Sequence, residues 1–294
     1  MATGVQVGSA MVATRFVVDQ TGPASLALLR YAIGAGCLLP PVLLGPPGRF
    51  ERRDLLPLAA LGVVQFGVLI ALLNYGLRFI PAARGALIFA TTPLLTMVLA
   101  AALRQERLTW SKIAGVLLTI AGVGLAVGEK ALPGAGPSAR WAGELAVLAS
   151  ALSAAVCSVL YRPYLRKYPT LRVSAFAMLA AVAFLAVPAA GEGFFTALPR
   201  FTAGGWAAVI FIGVGSGAGY YLWLWALGHA TPTRVTVCLS LSPPVAAGLG
   251  ALLLGEALTI PAALGLACVV GGLGLAHRSE SAEREGARRA APEP

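Results

Sequence analysis

The sequence predicts an all-α integral membrane protein with ten transmembrane helices, arranged as two five-helix repeats of inverted topology. Composition is the first reason: 58% of the 294 residues are hydrophobic and 12% are charged, whereas a soluble domain carries about 25% charged residues. The second reason is a series of apolar runs near the length of about 20 residues that crosses a bilayer. The third is a long internal repeat, which groups the helices.

The repeat relates residues 84–126 to residues 234–276 by a shift of 150 positions without a gap. Thirteen of the 43 aligned positions are identical, and some apolar matches arise by chance in so apolar a chain. Chance accounts less well for a matched proline, a matched Glu-x-Leu-Thr and three matched glycines, which are the pairs Pro93/Pro243, Glu106/Glu256, Leu108/Leu258, Thr109/Thr259, Gly115/Gly265, Gly122/Gly272 and Gly124/Gly274. We interpret the two segments as one hydrophobic helical hairpin used twice.

Turn residues and charges divide the first half of the chain into five apolar helices. The breaks are Thr21-Gly22-Pro23, the polar run 45–54, Ile80-Pro81 and the charged run 104–107. The helices predicted between these breaks are 2–18, 24–44, 55–79, 82–103 and 109–128. Together they form the N-terminal repeat, residues 1–128.

The same signals divide the second half, which follows the polar run 129–140. Its breaks are 162–170, 191–200, 229–232 and 255–261. The predicted helices are 141–161, 171–190, 203–227, 232–254 and 260–277, and they form the C-terminal repeat, residues 141–277. Trp110, Trp141 and Trp206 stand at helix starts, where interfacial tryptophans belong. The tail 278–294 is charged and poor in large apolar residues, so we expect it to be disordered.

The distribution of Lys and Arg predicts the orientation. With a cytoplasmic N-terminus, fifteen of these residues fall on the inner side and six on the outer side. Because positive residues collect in cytoplasmic loops, we expect both termini in the cytoplasm. Each repeat has an odd number of helices, so the second copy crosses the membrane in the opposite sense, with Glu106 inside and Glu256 outside. Such an inverted repeat permits two shapes, each open to one side of a site near the midplane.

Two prolines related by the repeat indicate where that site lies. Pro93 and Pro243 are near the centres of helices 82–103 and 232–254, and each removes a backbone hydrogen bond. We interpret them as hinges beside the site, with packing curvature alone as the alternative. The hydroxyl residues just before them either satisfy the freed carbonyls or face a substrate, and these are Thr91, Thr92, Ser240 and Ser242.

Helix 203–227 carries aromatic and small residues on one face, with Ser216, Tyr220 and Trp223 at helical spacing. This face could line a cavity for a flat, partly apolar ligand, or it could serve helix packing and an aromatic belt. The matching helix 55–79 holds polar candidates for ligand contact or interhelical hydrogen bonds, namely Gln65, Asn74 and Tyr75.

Arg30 lies about two turns into helix 24–44. A buried guanidinium at this position could hold a substrate carboxylate. It could equally snorkel to the interface or brace a neighbouring loop, and we favour the bracing role.

Several function classes find no support in the residues. No acid lies at the centre of a predicted helix, with Glu144 the nearest, which favours a facilitator or exchanger over a carboxylate-coupled pump. The sequence has no phosphate loop, nucleophile elbow or metal-ligand motif, so we expect no enzyme activity, cofactor or metal. The formal charge of +10 sits in loops rather than on a basic face, which argues against nucleic-acid binding. The expected partners are a small-molecule substrate and the lipid bilayer, with the protein a monomer. A lipid-acting membrane enzyme and a non-transporting scaffold remain as alternatives.

The pattern Pro93…Leu103…Glu106-x-Leu-Thr…Gly115…Gly122-x-Gly124, with its copy from Pro243 to Gly274, resembles the EamA-type members of the drug/metabolite transporter superfamily. Leu29-Arg30-Tyr31 is similar to that family's signature in the second helix, whereas Gly8-Ser9-Ala10 departs from the Trp-Gly that begins many members. The resemblance implies export of amino acids, other metabolites or drugs across a bacterial inner membrane. Within the superfamily, the chain looks most like exporters of aromatic amino acids. An arginine shared across the family counts against a substrate-specific role for position 30.

Overall fold

The computed structural model describes residues 2–45, 49–105, 110–127, 137–197, 199–256, 260, 263–268, 270–272 and 274. Across these residues the regular structure is entirely helical. The helical stretches long and apolar enough to cross a membrane, some of them made of consecutive shorter helices, are Pro23–Leu44, Arg52–Leu77, Ala82–Ala102, Arg140–Lys167, Thr170–Gly191 and Ala203–His229. The predicted all-α membrane class is therefore confirmed, and six of the ten predicted spans meet both criteria.

The helices follow one another in the order that the sequence predicts. They are α1 (Ala2–Val17), α2 (Pro23–Leu44), α3 (Arg52–Gly62), α4 (Leu69–Leu77), α5 (Ala82–Phe89), α6 (Thr92–Ala102), α7 (Trp110–Val127), α8 (Pro137–Leu160), α9 (Arg162–Lys167), α10 (Thr170–Gly191), α11 (Ala203–His229), α12 (Pro232–Val237) and α13 (Ser242–Leu254). A π-helical segment, Val63–Val68, joins α3 to α4, and a 3₁₀ turn, Cys238–Leu241, joins α12 to α13. The predicted tenth span appears as the short apolar helix Ala263–Gly272. Glu106 and the tail 278–294 lie outside the described residues.

The predicted helix 82–103 is in fact two helices, because Pro93 interrupts its hydrogen bonding. α5 ends at Phe89 and α6 begins at Thr92. Pro93 has no N–H to donate to the carbonyl of Phe89, four residues earlier. The hydroxyl of Thr92 donates to that same carbonyl at 2.6 Å. The side chain thus replaces the bond that the proline removes.

The second copy of the repeat is built in the same way, 150 positions later. Pro243 leaves the carbonyl of Leu239 without its helical donor, and the hydroxyl of Ser242 donates to it at 2.7 Å. Here the break is wider, because the 3₁₀ turn separates α12 from α13. Both broken helices therefore use one device, a hydroxyl residue directly before the proline.

Small residues let the helices approach closely, as is common between membrane helices. α2 meets α11 where Gly34 faces Gly217, and a Cβ added to Gly217 would lie 2.9 Å from the Gly34 carbonyl oxygen. α1 rests on the end of the 3₁₀ turn in the same manner, since a Cβ on Gly8 would lie 2.6 Å from the carbonyl oxygen of Ser242. These contacts hold helices of the two halves against each other.

α2 and α10 pack side by side in antiparallel orientation, and polar contacts join them at both ends. At the start of α2, the carboxylate of Glu192 accepts hydrogen bonds from the backbone N–H groups of Ala24 at 3.0 Å and Ser25 at 2.7 Å. The Ser25 hydroxyl adds a third bond at 2.7 Å. A carboxylate suits this position because the first N–H groups of a helix lack partners and carry partial positive charge.

At the opposite end, Lys167 Nζ lies 2.6 Å from Asp54 Oδ2 and 2.5 Å from Glu51 Oε1. The hydroxyl of Tyr168 donates to Asp54 Oδ2 at 2.5 Å. The hydrogen bond from Lys167, with the charge of Arg53 nearby, lowers the pKa of the exposed Glu51 carboxyl. These contacts tie the chain after α2 to the start of α10.

We expect Glu192→Ala to lower the free energy of unfolding by about 1–2 kcal/mol, because the N–H groups of Ala24 and Ser25 lose their acceptor. Thermal unfolding in detergent measures the change as a lower Tm. Asp19→Ala is the matched control, since the Asp19 side chain is exposed and its ion pair is with Arg15 on the same stretch of chain, four residues earlier. Equal Tm values for the two variants would contradict the capping role of Glu192.

Thr92→Val should also destabilise the protein by about 1–2 kcal/mol, because the isosteric side chain leaves the buried Phe89 carbonyl without a donor. Thr92→Ser keeps the hydroxyl and serves as the control, with a Tm near that of the unmodified chain. The interpretation fails if the two substitutions lower the Tm equally.

Candidate functional site

A cavity lies between the two halves of the chain, bounded by α1, α2, the π segment, α4, α5, α8, α11 and the 3₁₀ turn. Its lining residues are Thr3, Gln6, Val7, Ala10, Met11, Thr14, Arg30, Gln65, Leu69, Ile70, Leu73, Phe89, Ala154, Gly219, Tyr220, Trp223 and Leu239. The volume open to the centres of water molecules is about 40 Å³, and one water needs about 10–15 Å³ on this measure. This conformation therefore has room for a few waters and not for a metabolite.

Much of the lining consists of residue pairs separated by the same 150 positions as the repeat. These pairs are Leu69/Gly219, Ile70/Tyr220, Leu73/Trp223 and Phe89/Leu239. The last pair carries the two carbonyls that the prolines leave open, so both helix breaks lie at the cavity. Matching positions of the two halves thus meet around one space.

The aromatic wall of the cavity is the part that the sequence anticipated most directly. Tyr220 and Trp223 both line the space. Tyr220 packs edge-on against Phe66 with ring centroids 4.7 Å apart, and the Tyr31 ring lies 5.2 Å from Phe66 and 5.9 Å from Tyr220. The three rings fix one another, which gives the cavity a rigid apolar side.

Arg30 contributes the positive charge of the cavity. Its side chain is buried, with 4% of the residue exposed, and it lines the space directly. Nε donates to the hydroxyl of Ser216 at 2.5 Å, and the guanidinium lies 5.7 Å from the Tyr31 ring centre. Ser216 in turn donates to the Ile212 carbonyl at 2.6 Å. Ser216, predicted as a cavity residue, thus holds the arginine in place from behind and does not itself line the space.

Gln65 supplies a second polar group at the cavity. It lies in the π segment, and π-helical turns often occur at functional sites because they redirect a side chain. The residue is 4% exposed, and its Oε1 has no hydrogen-bond partner among the described residues. A buried acceptor without a donor is costly, so this oxygen is available to a ligand.

The other predicted candidates lie outside the cavity lining. Asn74 donates from Nδ2 to the Pro23 carbonyl at 2.9 Å, and so links α4 to the start of α2. Tyr75 is 38% exposed and packs against Phe79 with ring centroids 5.1 Å apart. The Asn74 side chain therefore joins two helices, and the Tyr75 ring packs against the turn that follows α4.

The hydroxyl residues before the prolines bond to the backbone in their described contacts. The hydroxyl of Thr91 donates to the Ile88 carbonyl at 2.8 Å. Thr92 and Ser242 bond to the freed carbonyls, as given above. The side chain of Ser240 lies outside the described residues.

Sequence reasoning overlooked the contribution of α1. One face of this helix lines the cavity with six residues, which are Thr3, Gln6, Val7, Ala10, Met11 and Thr14. Their spacing of three and four positions is a helical face, and its polar members Thr3, Gln6 and Thr14 are the signal that could have revealed it. The lining residues of α4 were overlooked as well, although the repeat points to them. A shift of 150 positions from Tyr220 and Trp223 leads to Ile70 and Leu73.

The sequence matches the EamA-like transporter family over residues 1–128 and 141–277. The chain belongs to this family. The EamA-type resemblance drawn from the repeated motif is therefore confirmed. Members are multi-pass membrane transporters, so this protein is a transporter in a lipid bilayer and not an enzyme.

Relatives of this EamA-like transporter cover most of its length. A protein of Streptantibioticus cattleyicolor named probable terminal-alkyne amino-acid exporter is 32% identical over 280 residues, which are 93% of this chain and 89% of that protein. The uncharacterized transporter YdfC of Bacillus subtilis is 25% identical over 90% of this chain and 85% of its own. A solved crystal structure covers 94% of this chain and 98% of its own with a TM-score of 0.70 at 22% identity, so it shares the fold.

Proposed function

We propose that this EamA-like transporter exports small metabolites, above all amino acids with aromatic or other apolar side chains, across a bacterial inner membrane by alternating access. The observation that carries the proposal is the cavity between the halves, lined by residue pairs 150 positions apart. A site on the pseudo-two-fold axis of an inverted repeat can open to either side when the halves exchange conformations.

The closed state of the cavity fits this mechanism. A space of about 40 Å³ cannot hold a free amino acid, so a substrate must enter after the helices around it separate. Pro93 and Pro243 are the proposed hinges, because helical hydrogen bonding is already interrupted beside each of them. Movement there does not break a regular helix.

The acids of the described chain favour uncoupled export or exchange. Glu144, the buried carboxylate nearest to a helix centre, pairs with Arg84 at the start of α5. Glu256 accepts a hydrogen bond from the Ala82 N–H at 3.0 Å, so it caps the same helix. These carboxylates stabilise the ends of helices and do not line the cavity, where a proton- or sodium-coupling acid would stand.

The cavity lining and a relative support this substrate class. The cavity walls are mainly apolar, with Tyr220 and Trp223 as aromatic surfaces. The Streptantibioticus relative is named for amino-acid export. Export of drugs or other small metabolites is the alternative, since an apolar wall also accepts these compounds.

Counterflow of labelled L-phenylalanine in proteoliposomes tests the function. We expect uptake above that of empty liposomes, and loss of this uptake in Leu73→Trp, which copies Trp223 into the other half and fills the cavity. Leu56→Trp, on the same membrane span but 79% exposed, is the control and should transport normally. Absence of flux for every amino acid in a panel, with flux for apolar drugs, would favour the alternative.

The inverted repeat is tested by labelling. Single cysteines replace residues 106 and 256 in a chain whose four cysteines have been removed. A membrane-impermeant thiol reagent should reach position 106 only from the cytoplasmic side and position 256 only from the outer side. Labelling of both positions from one side would rule out two inverted repeats, 1–128 and 141–277, with both termini inside.

A further inference from the structure

We propose that Arg30 and Gln65 form a subsite for the two charged groups shared by free amino acids, with Arg30 binding the α-carboxylate and Gln65 Oε1 accepting from the α-ammonium. This inference rests on the proposed export of small metabolites through the cavity, and it narrows their class to zwitterions with an uncharged side chain.

Arg30 is a permanent cation without an acidic partner in the described part of the protein. An arginine stays charged in proteins, and a buried charge inside a membrane is costly unless it is paired. The described acids are all engaged elsewhere, in contacts made by Asp19, Glu51, Asp54, Glu144, Glu192 and Glu256. An anion can therefore reach the guanidinium from the cavity, which Arg30 lines.

The geometry of Arg30 suits one small carboxylate. Ser216 occupies Nε at 2.5 Å, and this bond fixes the plane of the guanidinium against α11. The terminal nitrogens remain for a ligand, and a guanidinium recognises a carboxylate by paired hydrogen bonds. Among the described residues that line the cavity there is no second Lys or Arg. A ligand with several negative charges would thus be left uncompensated.

Gln65 supplies the complementary acceptor. Its Oε1 is buried and lacks a donor within the described chain, and the residue lines the same cavity as Arg30. A ligand with a carboxylate alone would leave this oxygen without a donor. An ammonium group offers three donors and would satisfy it.

The other lining residues decide which side chains a bound amino acid can carry. Tyr220, Trp223, Phe89 and Leu73 supply much of the apolar surface of the cavity, and Thr3, Gln6 and Thr14 add uncharged polar groups. Among the described lining residues there is no carboxylate to pair with a cationic side chain. A ligand would place its zwitterionic end at Arg30 and Gln65 and its apolar end against the rings. An acidic or basic side chain would enter this surface unpaired, which is unfavourable.

The test compares competitors in the L-phenylalanine counterflow assay. Phenethylamine lacks the carboxylate and 3-phenylpropionate lacks the ammonium group. For the unmodified protein, we expect each to compete about tenfold or more weakly than unlabelled phenylalanine. Arg30→Met should weaken phenylalanine to the level of phenethylamine, and Gln65→Leu should weaken it to the level of 3-phenylpropionate.

The pattern of discrimination separates this inference from the general function. The quantity compared is the ratio of the competitor concentrations, phenethylamine or 3-phenylpropionate over phenylalanine, that halve the counterflow. Arg30→Lys keeps the charge without the planar fork and should give a phenethylamine ratio between those of the unmodified protein and Arg30→Met. It replaces Arg30→Met if the methionine variant does not fold. Gln105→Leu, an exposed amide substitution at the end of α6, is the control and should leave all ratios unchanged. Phenylalanine counterflow with the same ratios in every variant would overturn the subsite and leave the export function standing. Absence of all amino-acid counterflow in the unmodified protein would overturn both.

Discussion

Polar groups inside a bilayer must find their hydrogen bonds within the protein, because lipid hydrocarbon offers none. This constraint explains why a hydroxyl residue stands directly before each of the two prolines that the repeat relates. Thr92 and Ser242 bond to the carbonyls that Pro93 and Pro243 leave open. The same constraint makes the exceptions informative. Two of these exceptions lie at the cavity: within the described part of the chain, Arg30 has no acidic partner and Gln65 Oε1 has no hydrogen-bond donor.

The two halves meet through interruptions in their helices. α5 and α12 each stop short of the proline, and the residues at the ends of the breaks, Phe89 and Leu239, line one space. A continuous helix would present a uniform apolar face at this depth. The breaks border a cavity between the two halves without exposing an unsatisfied backbone to lipid, since irregular backbone is tolerated where it is buried in protein.

The sequence predicted the helices well because turn residues and charges interrupt apolar runs at nearly every boundary. It also predicted Tyr220 and Trp223 at the cavity from their common helical face. It did not decide the role of the hydroxyl residues, because a Thr or Ser before a proline can bond either backwards to the chain or outwards to a ligand. Asn74 illustrates the same limit, since its partner is the carbonyl of Pro23, 51 residues away along the chain.

The apolar part of the α1 face could not be found from composition. Ala10 and Met11 look like ordinary membrane residues, and only the packing of the halves shows that they border the cavity. The opposite face of α1, with Val12, Ala13 and Phe16, borders an apolar groove shared with α11 and α13. Periodicity separates the two faces but does not say which one turns inward, because that depends on contacts distant in sequence.

α1 therefore separates the cavity from the apolar groove by the thickness of one helix, roughly 10 Å. Its position depends on Gly8, where even a methyl group would meet the carbonyl oxygen of Ser242. A larger residue at position 8 would therefore shift α1 and change the shape of the cavity that α1 lines. Alanine ordinarily favours a helix over glycine, but at position 8 its methyl group would push α1 away from the start of α13.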